Sequence, residues 1–172
     1  TQHTADNPAI TWPQFTNSVL DGLEGQATKF NANIEAIAVL RAIDREGRSP
    51  TPDERVALLR FTGWGGIPAS FNLDGTDAAW KQRAQQLSEL LQPGEYESAR
   101  ASVNNSHYTE PFIVRWIWAA LRRLGFEGGH ILDPSSGIGH FLGCMPADIA
   151  TRSRITAVEL DDLAGRILRA LY

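Results

Sequence analysis

The sequence predicts an α/β protein in which a mostly helical amino-terminal region precedes the opening strands of a larger α/β sheet. Apolar residues recur at helical spacing across much of residues 26–124, and strand-like sequence begins only after them. Ile131–Asp133 and Ile155–Val158 then indicate two strands, joined by a glycine turn and a short connection. We therefore predict a helical region at residues 1–105 and an incomplete ligand-binding region at residues 106–172.

Capping and breaking residues mark the predicted helices. Apolar residues recur along residues 26–45, which are expected to form the first helix. Thr51 is a favourable N-cap with a proline directly after it, so a second helix is expected from there to Phe61. Further helices are predicted at residues 76–91, 95–101, 110–124 and 161–172.

Composition narrows the class of protein. The 172 residues carry a net charge of −4, so no overall positive field attracts nucleic acid. Any DNA contact must rest on a local patch or on parts of the protein outside these residues. Cys144 is the single cysteine, which excludes an internal disulfide and a cysteine-based zinc site. We find no apolar run of about 18 residues and no signal-peptide pattern, and residues 1–13 suggest an irregular polar arm. These features predict a cytoplasmic protein without a metal site.

The segment from Asp133 to Phe141 has the character of a ligand-binding turn. Asp133 ends the first strand, and Gly137 and Gly139 permit positive φ and close approach of a ligand. Glu159 follows about 20 residues beyond the turn, where dinucleotide-binding folds place a ribose-binding acid. We infer S-adenosylmethionine, since its amino-acid tail and its ribose each call for an acid. A nicotinamide cofactor is the weaker alternative, because an Asp-Pro pair precedes the glycines here.

A second constellation lies about two dozen residues before Asp133. Thr109 is placed to cap the helix that follows, with Pro111 in its first turn. In adenine-type DNA methyltransferases, a tyrosine-threonine-proline segment at this distance holds the carboxylate of the methionine moiety. Tyr108 and Thr109 match that segment, but Glu110 separates Thr109 from the proline.

Taken together, six segments of the sequence resemble one family. The similarity lies in residues 61–67, 105–109, 124–129, 132–139, 158–161 and 165–167. The chain resembles the amino-terminal region of very large phage, plasmid and integrative-element proteins, the DarB-type antirestriction proteins among them. These proteins join an N6-adenine-methylase-like domain to an SNF2-like helicase.

The resemblance implies a Rossmann-like, S-adenosylmethionine-dependent methyltransferase fold, with DNA as a partner and a helicase region in the same polypeptide. Tyr108 and Thr109 would contact the methionine tail, and Glu159 the ribose. The donor-binding turn would comprise Asp133, Pro134, Ser135, Gly137, Gly139 and Phe141. The sequence lacks the Asn/Asp-Pro-Pro-Tyr/Phe segment that holds the target adenine, so we expect little or no methylation by this chain alone. The alternative is a non-catalytic binding module of an antirestriction or DNA-translocating protein.

Several other residues permit two interpretations. Trp64, flanked by glycines, could stack on a base, but we favour a tryptophan that fills the helical core. Trp116 and Trp118 lie in a strongly apolar helix and are expected to pack in the core or between domains. Asp161 and Asp162 could replace Glu159 as the ribose acid, although we expect them to cap the last helix.

Overall fold

The computed structural model describes residues 15–172, and the irregular arm expected at residues 1–13 lies outside them. The described chain is mostly helical and contains a parallel sheet of two strands, so the predicted α/β class is confirmed. None of the described helices is both long and apolar enough to span a bilayer.

Four helices build the first part of the structure, and their order follows the sequence. They are α1 (Gln26–Glu46), α2 (Pro52–Leu59), α3 (Ala78–Leu90) and α4 (Pro93–Ser102). The predicted cap at Thr51 is confirmed, because its hydroxyl accepts a hydrogen bond from the Glu54 N–H while the Glu54 carboxylate accepts one from the Thr51 N–H. A loop carrying Trp64 and a short 3₁₀ helix connect α2 to α3.

The second part contains the sheet. In chain order its elements are α5 (Pro111–Arg123), β1 (His130–Asp133), α6 (His140–Gly143), α7 (Ala147–Ala150), β2 (Arg154–Ala157) and α8 (Asp162–Leu171). The two strands are parallel, with Ile131 paired to Ile155 and Asp133 paired to Ala157. Both predicted strands are therefore present, and the connection between them holds two helices of four residues each.

The predicted helix cap at Thr109 is wrong. Helix α5 begins at Pro111, so the N-cap position falls to Glu110, whose side chain makes no capping hydrogen bond. The extra residue before the proline moves Thr109 one position outside the helix, where its backbone takes a different partner. The predicted caps at the last helix are correct in part: Asp161 is the N-cap of α8, and Asp162 is its first residue.

One connected set of buried apolar side chains extends through both parts of the structure. It includes Phe30, Ile37 and Leu40 of the helical part, and Leu163 and Ile167 of α8. Ile131 and Ile155 pack against this core from one face of the sheet, whereas the opposite face is open and leaves Leu132 64% exposed. The sheet is thus covered by helices on a single face of the described structure.

Candidate ligand-binding site

A cavity of about 360 Å³ opens beyond the carboxyl ends of β1 and β2. Chain segments from both parts of the structure line it. The helical part contributes Phe61, Gly63, Trp64, Ser98, Ala101, Ser102 and Asn105. The remaining lining residues are Ser106–Thr109, Ser135–Gly137, His140, Phe141, Glu159–Asp161 and Ala164. In open α/β sheets, ligands bind at this end of the strands, where loops rather than helices meet the solvent.

The turn after β1 and the segment after β2 are joined through Glu159. Gly137, whose φ of 56° is a left-handed conformation, donates its N–H to Glu159 Oε2 at 2.6 Å. Glu159 Oε1 accepts the N–H of Asp161 at 2.8 Å. Each carboxylate oxygen has a further lone pair, so Glu159 can accept ligand hydroxyls while these bonds hold it in place.

The predicted site residues separate into two groups. Six of them line the cavity: Tyr108, Thr109, Ser135, Gly137, Phe141 and Glu159. Asp133, Pro134 and Gly139 are not among the lining residues. The Gly139 carbonyl instead accepts a hydrogen bond from the Tyr172 hydroxyl at 3.1 Å, which places Gly139 in the packing between the turn and α8.

Asp133 is a half-buried acid beside the turn. Burial raises its pKa, while the nearby Ser135 N–H and Ser136 hydroxyl oppose the rise. The Ser136 hydroxyl itself donates to the backbone carbonyl of Asp133 at 3.0 Å. The Asp133 Oδ2 atom is buried and has no hydrogen-bond partner among the described residues. A buried carboxylate oxygen without a partner is unfavourable for folding.

Residues Ser106–Thr109, which we term the strap, cross between the helical part and the glycine turn. The Tyr108 ring lies against both Gly63 and Gly137, since a Cβ at either glycine would overlap it. Burial, followed by the negative charges of Asp161 and Glu159, raises the pKa of Tyr108, so its hydroxyl stays neutral.

His140 fixes the far end of the strap. Its Nδ1 lies 2.8 Å from the Thr109 carbonyl oxygen, which can only accept, so Nδ1 carries the proton. Burial lowers the pKa of His140. The centroid of its ring lies 4.2 Å from that of Phe15 and 5.1 Å from that of Tyr108. Nothing in the local sequence pattern indicates the hydrogen bond to Thr109, because it joins His140 to a residue 31 positions earlier.

The helical part contributes one wall of the cavity. Trp64 is 1% exposed and packs edge-on against Phe61 and Phe71, so its interpretation as a residue that fills the core is confirmed. Ser98 of α4 donates to Asp161 Oδ2 at 3.3 Å, and both residues line the cavity. Ser98 could not be predicted from the sequence, because it lies 63 residues from its partner and belongs to no motif.

The two tryptophans of α5 have different environments. Trp118 is 4% exposed and donates its indole N–H to the Phe141 carbonyl at 3.0 Å, as expected of an internal residue. Trp116 is 72% exposed, so core packing is wrong for it within the described structure, and packing between domains stays a prediction. Val114 and Trp118 lie on the side of the helix that faces the core. Phe112 and Trp116 lie on the opposite, exposed side.

Comparison with known proteins relates the chain to a phage antirestriction protein. It is 25% identical to the Defense against restriction protein B of Escherichia phage P1 over 153 residues, which are 89% of this chain. The chain spans only 5% of the length of that protein. No family model matches the chain. No solved structure matches it.

Proposed function

We propose that this chain is the donor-binding segment of a methyltransferase-like module in an antirestriction protein, and that its ligand is S-adenosylmethionine. The observation that carries the proposal is the Glu159–Gly137 hydrogen bond, which places an acid and a glycine turn together at the cavity beyond two parallel strands. This is the arrangement in which Rossmann-like folds receive a ribose. We propose that fold for the module as a whole.

Each residue has a distinct part in binding. Glu159 accepts the ribose hydroxyls, and Tyr108 and Thr109 contact the methionine tail. Asp133 is not among the lining residues, so we assign it no direct contact with the ligand. When bound, the ligand supplies an activated methyl group, and the chain's own residues orient it and exclude water from it.

Binding, rather than transfer, is the function we assign to these 172 residues. They contain no Asn/Asp-Pro-Pro-Tyr/Phe segment to hold a target base. The similarity to a protein named for defence against restriction favours a module that serves an antirestriction function, with or without methylation. Methyl transfer to adenine N6 in DNA, and association with a helicase region, are proposed for the larger protein only.

The test is a calorimetric titration of S-adenosylmethionine into the chain, its Glu159→Gln variant and, as a matched control, Asp162→Asn. Asp162 is an exposed acid three residues away on α8. Glu159→Gln should weaken binding about tenfold or more, because the amide cannot accept from both loops and the ribose together. A folded chain that binds no S-adenosylmethionine would refute the donor site, and preferential binding of NADH would favour the nicotinamide alternative.

A further inference from the structure

We infer that the loop Thr62–Gly66, in the helical part, positions the strap and thereby selects ligands that carry an amino-acid tail. This inference rests on the proposed function, in which the strap contacts the tail. Gly65 and Asn33 are the positioning residues, and neither lines the cavity.

The loop packs directly on the backbone of the strap. A Cβ at Gly65 would overlap the Ser106 carbonyl oxygen and lie 2.8 Å from its carbonyl carbon. Backbone atoms cannot swing aside as a flexible side chain can, so any side chain here must push the strap away. At Gly63 a Cβ would lie 2.5 Å from Ser106 Oγ and 2.6 Å from Tyr108 Cε2.

Asn33 of α1 holds the loop rigid beneath the strap. Its side chain is fully buried, and its Nδ2 donates to the Gly63 carbonyl at 2.7 Å. Its Oδ1 accepts the Thr62 N–H at 2.7 Å and the Thr62 hydroxyl at 3.2 Å. Trp64, which lies between the two glycines that contact the strap, is buried in the core. The positions of Gly63 and Gly65 are therefore fixed.

The strap is anchored at its first residue by a hydrogen bond from the Ser106 N–H to the Ser102 carbonyl at 2.7 Å. Its four residues line the ligand cavity and also a second cavity of about 400 Å³. Between these spaces, the strap is held by the loop at Ser106 and by His140 at Thr109. A shift of the loop therefore moves Tyr108 relative to Gly137, while the turn and Glu159 keep their own hydrogen bonds.

Two adjacent glycines provide the test. Gly65→Ala introduces the overlap with Ser106, whereas a Cβ at Gly66 would meet only the end of Lys29, at 3.7 Å. Neither glycine has a positive φ, so neither substitution strains the backbone. The two variants differ in whether the new Cβ overlaps the strap. Each variant of the full chain is titrated with S-adenosylmethionine and with 5′-methylthioadenosine, which lacks the amino-acid tail.

We expect Gly65→Ala to weaken S-adenosylmethionine binding about tenfold or more and to leave 5′-methylthioadenosine binding within about twofold. Gly66→Ala should change neither affinity. If Gly65→Ala does not fold by circular dichroism, Asn33→Asp replaces it, since it removes the donor to Gly63, and the same split between ligands is expected.

Three results would contradict the inference. Equal affinities in the Gly65→Ala and Gly66→Ala chains would show that the contact has no effect on the ligand. Equal loss of both ligands would indicate general damage to the structure rather than positioning of the strap. Failure of the unmodified chain to bind either ligand would instead remove the proposed function, and this inference with it.

Discussion

Asn33 shows how one buried polar residue can determine the shape of a loop 30 positions away. Replacing it by leucine keeps a similar volume but leaves the Thr62 N–H and the Gly63 carbonyl buried without partners. Each lost partner costs about 1–3 kcal/mol, so we expect Asn33→Leu to lower the free energy of unfolding by about 2–6 kcal/mol. Urea denaturation measures this, and Asn31→Leu, at an exposed position of the same helix, should change it by less than about 0.5 kcal/mol.

Asp133 gives the stability of the chain a dependence on pH. Because burial raises its pKa in the folded state, the folded chain holds the proton at pH values where the unfolded chain has released it. The free energy of unfolding therefore falls as the pH rises from the ordinary pKa of the carboxyl group, which applies in the unfolded chain, through the raised pKa of the folded chain. Asp161, whose pKa burial also raises, acts in the same direction.

We expect Asp133→Asn to reduce this fall, because the amide does not titrate. Thermal unfolding of both chains between about pH 4 and pH 7 measures the effect. Asp74→Asn, in an exposed turn, should leave the slope unchanged. An unaltered slope in Asp133→Asn would mean that Asp133 is not the group responsible.

Site residues close to a motif could be predicted from sequence, and those brought in from other elements could not. Glu159 and Gly137 were identified because the strand-turn-strand pattern fixes their relative position. Ser98 and His140 were not, since their contacts join residues 63 and 31 positions apart and depend on how helices pack. Asp133 was placed at the correct strand end, but its exclusion from the cavity wall depends on side-chain direction.

At the scale of elements, long helices with caps were predictable and short ones were not. Helix α1 was expected at residues 26–45 and spans Gln26–Glu46, and the other long helices agree within about two residues at each end, which is the usual uncertainty. Helices α6 and α7 have four residues each, too few for a hydrophobic period to be recognised. Their formation depends on burial of Leu142 and Ile149 against the core.

Charged side chains fasten three helices that are distant in sequence. Glu95 of α4 accepts from Arg41 of α1 and from Arg166 of α8, each at 2.8 Å, and its side chain is 12% exposed. Arg166 also pairs with Asp44 of α1. Glu95 further accepts the Gln92 N–H at the start of α4, so it joins both parts of the structure while capping its own helix.

We expect Glu95→Ala to lower the free energy of unfolding by about 2–3 kcal/mol, because it leaves two half-buried arginines without that partner and removes the cap. Glu46→Ala, which removes an exposed ion pair with Arg48, should have a much smaller effect on the free energy of unfolding. Chemical denaturation of the two variants measures the difference. A similar small effect in both would show that the Glu95 contacts do not hold the helices together.

At the scale of the whole molecule, the two-stranded sheet depends on the helical part. An isolated pair of strands is marginal in water, and this pair packs against helices on one face only. The core that covers it includes side chains of α1, and Arg166 ties α8 to the same helix. The 89% of the chain that aligns with the phage protein spans both parts as well.

This continuity leads us to expect that both parts unfold together. Leu40 of α1 is fully buried, and Leu40→Ala should cost about 2–5 kcal/mol. If both parts form a single cooperative unit, Leu40→Ala must accelerate amide hydrogen exchange in α8 as much as in α1. This holds although α8 lies more than 100 residues from Leu40 in the sequence. Val56→Ala, at an exposed site of α2, serves as the control. Acceleration confined to residues before 105 would instead show that the helical region and the ligand-binding region are separate folding units, each stable without the other.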